Sequence, residues 1–145
     1  MEVLSLSFTK RNGIRLSDLP TYLLQLEASE HVVNHLGSVH GSALFALAEI
    51  TSGYYLYTNF TDIADQTIPI LRSSSVKYRK MGDGTIHSTA VFEGTNVDEI
   101  SSTLLYKHKV LLTIAVKLYN AQHEVVMTGD FEWFVTSPKR PESNS

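Results

Sequence analysis

The chain contains no cysteine, which removes disulfides, thiol nucleophiles and cysteine-held metals from consideration. It also lacks a strong excess of either charge. The 12 basic and 15 acidic residues leave a net charge of −3, which gives no electrostatic reason to expect nucleic acid or an anionic membrane as partner. No long apolar run is present: the richest stretch is broken by Glu49, Ser52 and Gly53 and falls short of a membrane span. Residues 1–8 have neither the basic start nor the long apolar centre of a secretory signal, so the cytoplasm is the expected location. The Gly-x-Ser-x-Gly pattern of serine hydrolases is absent as well.

What is present suits one soluble globular domain. A length of 145 residues is enough for a core without staples, and 43% apolar with 19% charged residues is an ordinary composition. The domain is expected over 1–136, followed by a loose polar tail over 137–145 that carries two prolines. No internal repeat interrupts it.

The chain is organised around residues 34–57. Polar and glycine residues over 34–41 read as a tight loop, and a mostly apolar segment of helical length follows, ending near 57–59. Glu49 lies in the middle of that segment, and between Glu30 and Asp62 no other Asp, Glu, Lys or Arg occurs. Burying an unpaired carboxylate costs several kcal/mol, so it implies a partner or a task. Helical spacing puts Ser42, Phe45, Ala46, Ser52 and Gly53 on the face of Glu49, and among these only Phe45 is large. Gly53 costs roughly 1 kcal/mol relative to alanine inside a helix, which points to close approach by another backbone or a ligand. A carboxylate on a strip of small residues reads as a pocket.

Around this helix the pattern has period two. Residues 3–8 read as a short strand or a helical turn, Asn12-Gly13 as a turn, and 22–28 as a strand. After a polar loop over 61–66, strands are predicted over 67–80, 85–93, 107–120 and 125–136. Pro69 must then sit at a strand start, an edge or a bulge. Ile86, Ser88, Ala90 and Phe92 share one face, as do Val110 to Leu118 at every second position and Val125, Met127, Phe131, Trp133 and Val135. A short helix is expected over 96–105, with Asn96 as N-cap and Glu99 in the capping-box position. One helix apolar nearly all round, beside five or six antiparallel strands, implies an α+β sheet wrapped around that helix.

This order, with Asn34, Gly37, His40-Gly41-Ser42 and Glu49 in the loop and helix, resembles the hotdog-fold acyl-CoA thioesterases. The resemblance is greatest to the branch with phenylacetyl-CoA and medium-chain acyl-CoA thioesterases. Val76 to Lys80, closed by Gly84, is similar to that family's strand and turn. Ser42 stands where the family has a second glycine and Glu49 where aspartate is commoner, which looks like a less characterised subgroup.

The resemblance implies hydrolysis of a thioester to a carboxylic acid and coenzyme A, with no cofactor beyond the coenzyme A carried by the substrate. Glu49 would be general base or nucleophile. Asn34, His40 and Gly41 would complete the catalytic set, with the free N–H groups of Gly41 and Ser42 at the helix start polarising the thioester carbonyl, each weighed against a plain role in turn or cap. Ser42, Ala46 and Gly53 would line the substrate, and Lys77, Arg79 and Lys80 would meet the coenzyme A phosphates or simply be solvated. None of Ser73, Ser74 and Ser75 is assigned a role, because the register of that strand is not fixed by the sequence. His31, His35 and His40 do not have a zinc spacing, so no metal is expected.

Two other functions compete: a dehydratase or hydratase on the same fold, and an acyl-CoA-binding protein without turnover. The family also implies a homo-oligomer, a dimer joined edge to edge or a tetramer built from it. Gly41 and Glu49 are eight residues apart, about 12 Å along one helix, and the resemblance implies a site at the dimer interface, with Asn34, His40 and Gly41 of one subunit facing Glu49 of the other.

Overall fold

A computed structural model describes residues 3–60 and 66–137. The predicted loop over 61–66 and the tail therefore lie largely outside the described residues. The start is helical: a 3-10 turn, Val3–Ser5, leads into α1 (Ser7–Arg11), with Lys10 and Arg11 at the end where cations suit the helix dipole. Gly13 then turns the chain at φ 70.

Two short strands follow, β1 (Ile14–Leu16) and β2 (Leu24–Leu26), paired antiparallel. β1 is not announced by the sequence, since three residues are too few to show alternation. The expected strand over 22–28 contracts to β2, whose three residues are all buried, with the Gln25 carboxamide oxygen accepting the Asp18 N–H at 2.8 Å.

The long helix is α2 (Gly41–Asn59). Beyond it come β3 (Ile68–Tyr78), β4 (Ile86–Phe92), α3 (Val97–Lys107), β5 (Lys109–Tyr119) and β6 (Val125–Thr136). Asn96 caps α3 through its side chain, accepting the Glu99 N–H at 3.0 Å, and the Glu99 carboxylate takes the Thr95 hydroxyl at 3.1 Å. The six strands form one antiparallel sheet in the order β1-β2-β4-β5-β6-β3, as expected for an α+β wrap. α2 buries Leu44, Leu47 and Ala48 in the core with Ile86, Ile114, Val116, Leu118 and Met127. At its centre the Thr51 hydroxyl lies 2.7 Å from both the Leu47 carbonyl and the Ser88 hydroxyl.

β3 is an edge strand, which is where Pro69 is tolerated. Its register shifts between Leu71 and Ser73, so Arg72 is an extra residue in the ladder. A second shift on β6 places Val125 opposite Tyr119 and leaves Val126 as the extra, fully buried residue. This corrects the sequence expectation for Val125, which does not share the row of Met127.

Candidate active site

Glu49 sits on the third turn of α2, half-buried, and among the described residues nothing bonds or pairs with its carboxylate. Burial raises its pKa above the ordinary glutamate value. Its helical face is ordered by aromatic rings from β6. Phe45 tilts against Phe131 with centroids 5.8 Å apart, while Ala46, Ser52 and Gly53 are buried. The Ser52 hydroxyl donates to the Glu49 carbonyl at 2.7 Å and accepts the Trp133 indole N–H at 3.0 Å. The same indole lies on Gly53: a Cβ there would meet its Cζ2 and Cη2 at 3.5 Å. Within this chain, the close approach that Gly53 admits is therefore made by Trp133.

The N-terminus of α2 is built by the loop before it. Asn34 staples that loop, its Oδ1 accepting the N–H groups of Leu36 and Ser38 at 2.9 and 3.2 Å and the Ser38 hydroxyl at 3.2 Å. The backbone N–H of Asn34 also donates to the Ser38 carbonyl at 2.8 Å. His40 is the N-cap, and its ring Nδ1 accepts the Ser42 N–H at 2.9 Å. That bond requires an unprotonated Nδ1, and the residue is exposed. The N–H groups of Ala43 and Leu44 turn back to the His40 carbonyl. Of the two amides expected to polarise a carbonyl, Ser42's is taken by the cap, and among the described residues no acceptor meets Gly41's.

Tyr78, at the end of β3, lies beside that amide. Its hydroxyl donates to the Gly41 carbonyl at 3.2 Å, and its ring edge would stand 3.6 Å from a Gly41 Cβ. The register of β3 also separates the serines. Ser74 is opposite Phe131 and so shares the face turned toward α2, whereas Ser73 and Ser75 are opposite Glu132 and Asp130 on the outer face. Sequence reasoning did not single out Tyr78 or Trp133 as site residues and left Ser74 unassigned.

The basic residues lie apart from Glu49. Lys77 and Arg79 border an outer-face groove of about 270 Å³ with Ser75, Lys117, Thr128 and Asp130. The Arg79 Nε–H donates to the Thr128 hydroxyl at 3.2 Å. Lys80 pairs with Glu124, which lowers the Glu124 carboxyl pKa. Thus the chain brings His40, Gly41, Ser42 and Tyr78 together, and puts Glu49 with Ala46 and Gly53 further along the same helix. Lys77 and Arg79 lie on the other side of the sheet. Among the described residues no group of three His, Asp or Glu side chains is placed to hold a metal, and no helix is long and apolar enough to cross a membrane.

Solved structures share this architecture. A Pseudomonas aeruginosa protein of unknown function, PA5026, described as a probable thioesterase, is 24% identical with a TM-score of 0.80, covering 94% of this chain and 91% of its own. The Escherichia coli PaaI protein of the phenylacetic acid degradation operon is 14% identical with a TM-score of 0.66, over 93% and 86% of the two chains. The Bacillus halodurans protein BH2602, solved with CoA, is 20% identical with a TM-score of 0.61, over 77% and 69%. These likenesses give the fold, and it is the hotdog fold. No curated protein matches the sequence. A family model does match, over residues 18–135, and the chain belongs to that family, the domain of unknown function DUF4442.

Proposed function

We propose that this protein is an acyl-CoA thioesterase, releasing a carboxylic acid and coenzyme A. The observation that carries the reading is the unpaired, half-buried carboxylate of Glu49, its pKa raised by burial, on a helix whose first amide has no acceptor among the described residues. A base whose pKa moves toward the working pH is suited to taking a proton from water. The names of the solved neighbours, a probable thioesterase and a protein crystallised with CoA, support the same class.

The two groups are about 12 Å apart along α2, too far for one carbonyl carbon. A two-fold dimer resolves this by setting Glu49 of one subunit against Gly41 of the other. β3 offers the joining surface: among the described residues it pairs only with β6, and it exposes Ile68, Ile70 and Tyr78. In that site the Gly41 amide polarises the thioester carbonyl. Glu49 takes a proton from water as its oxygen attacks the carbonyl carbon, and the C–S bond breaks as the coenzyme A thiolate leaves and is protonated. Direct attack by the carboxylate, with water cleaving the resulting anhydride, uses the same placement.

Acyl-CoA binding without turnover is the second reading. It is favoured by one observation, that Asn34 Oδ1 and the Ser42 N–H are both spent inside the chain. Thiol release from a panel of acyl-CoAs, measured for the wild type and Glu49→Gln, separates the two. Release that disappears in the variant supports the thioesterase, and saturable binding with no release supports the alternative.

A further inference from the structure

Beyond Glu49 the same helical stripe continues through Gly53 to Leu56, four and seven residues on, and Phe60 follows as the helix C-cap. The inner row of β6 runs alongside it: Phe131 lies by Phe45, Trp133 by Ser52 and Gly53, and Val135 beyond. Further along lies a mainly apolar cavity of about 20 Å³, lined by Leu56, Ile100, Leu104 and Val135 among others, with Tyr57 and Thr67 as its polar neighbours. That is room for one water-sized group, and the walls offer such a group no charge. α3 closes this end through Ile100 and Leu104, both buried.

Trp133 packs on α2 at Ser52 and Gly53, between Glu49 and the cavity-lining Leu56 along the helix. Its ring covers Gly53, one helical turn from Glu49, and its N–H is held by a hydroxyl that is itself fully buried. Swinging the indole away would leave its N–H unpaired in the interior, while the Ser52 hydroxyl would keep its bond to the Glu49 carbonyl, so the ring is held as a wall rather than a loose side chain.

We propose that Trp133 is the stop of the acyl site, which limits substrates to short or single-ring acyl groups, and that the α3-lined cavity is the extension it closes off. This rests on the thioesterase reading. The wall lies about 6 Å beyond Glu49 along the helix, enough for roughly five carbons when each C–C bond of about 1.5 Å advances a zigzag chain by about 1.3 Å. The cavity beyond holds one water-sized group, so removing the indole lengthens the site by a few carbons only.

The test compares kcat/KM for butyryl-CoA, octanoyl-CoA and dodecanoyl-CoA. In the wild type it is expected to fall with length, and in Trp133→Leu the octanoyl-to-butyryl ratio should rise about tenfold or more, while dodecanoyl-CoA, longer than the enlarged site, should stay poor. Adding Ile100→Phe fills the cavity and should remove the gain. An unchanged ratio in folded Trp133→Leu, or a gain that survives Ile100→Phe, overturns the proposal. If Trp133→Leu does not fold by circular dichroism, Trp133→Phe is read in the same way, with a smaller rise expected and no rise counting against the stop. If the wild type releases no thiol from any substrate, the thioesterase reading has failed. The stop is then judged by calorimetric affinity for the same three compounds: affinity that falls with length in the wild type and recovers for octanoyl-CoA in the variant supports it, and length-independent affinity overturns it.

Discussion

The ring Nδ1 of His40 accepts the backbone N–H of Ser42 at 2.9 Å, so a histidine performs the capping task usually given to serine or aspartate. His40→Ala should cost about 1 kcal/mol through loss of that cap, and His40→Asn should recover it. We expect turnover to follow stability across the pair, because the ring places the amides rather than touching substrate. His40→Asn with wild-type melting temperature but more than a tenfold loss in kcat would instead assign a direct role to Nε2.

Glu49 gives opposite outcomes in activity and stability. Glu49→Gln removes the base, with an expected loss of about 100-fold or more in kcat. It also removes a half-buried charge. Because burial raises the folded pKa, the folded chain holds the proton more tightly than the unfolded one. The wild type therefore loses stability as pH rises from the ordinary glutamate value of 4.5 through the folded pKa. Glu49→Gln should melt higher than wild type at pH 7 to 8, and the gap should close toward pH 4. A variant that melts lower at all pH values would mean that the carboxylate has a stabilising partner.

Ser74 is distinguished from its two neighbours by register alone. Ser74→Ala should lower kcat/KM more than Ser73→Ala or Ser75→Ala, which should stay within about twofold, because of the three only Ser74 shares the face turned toward α2. Equal losses from all three would contradict the facing assigned to this strand.

A shared site can be tested by mixing subunits. Asn34→Ala removes the acceptor of three hydrogen bonds and loosens the loop that carries Gly41. Alone it should be nearly inactive, as should Glu49→Gln. After exchange of equal amounts, half of the dimers are mixed and one of their two sites is intact, so about a quarter of wild-type activity should return. No recovery after exchange proven by mass spectrometry would place the whole site within one chain.

Much of this was legible in the sequence because it depends on short-range periodicity. The extent of α2, the Asn96 cap and the inner faces of β4 and β5 all follow from residues a few positions apart. Gly53 was not readable in the same way. Its neighbour Trp133 lies 80 positions away in the chain, and a glycine signals that something approaches without saying what. Asn34 and His40 were recognised by spacing, but only coordinates show that the oxygen of one and a ring nitrogen of the other are already occupied. β1 is too short to show a pattern, and Val125 was misplaced because nothing in a period of two marks where a ladder skips a residue.

The skip at Arg72 also bears on how this strand tolerates changes in length. Leu71 and Ser74 both belong to the inner face although they are three positions apart, because Arg72 is surplus to the ladder. Deleting Arg72 would therefore regularise β3 and leave every other residue on its present face. Deleting Ser74 or Val76 would turn over one side of the strand, exchanging polar for apolar residues against α2. Within β3, natural variation in length should collect at this position and be purged from the positions that follow it.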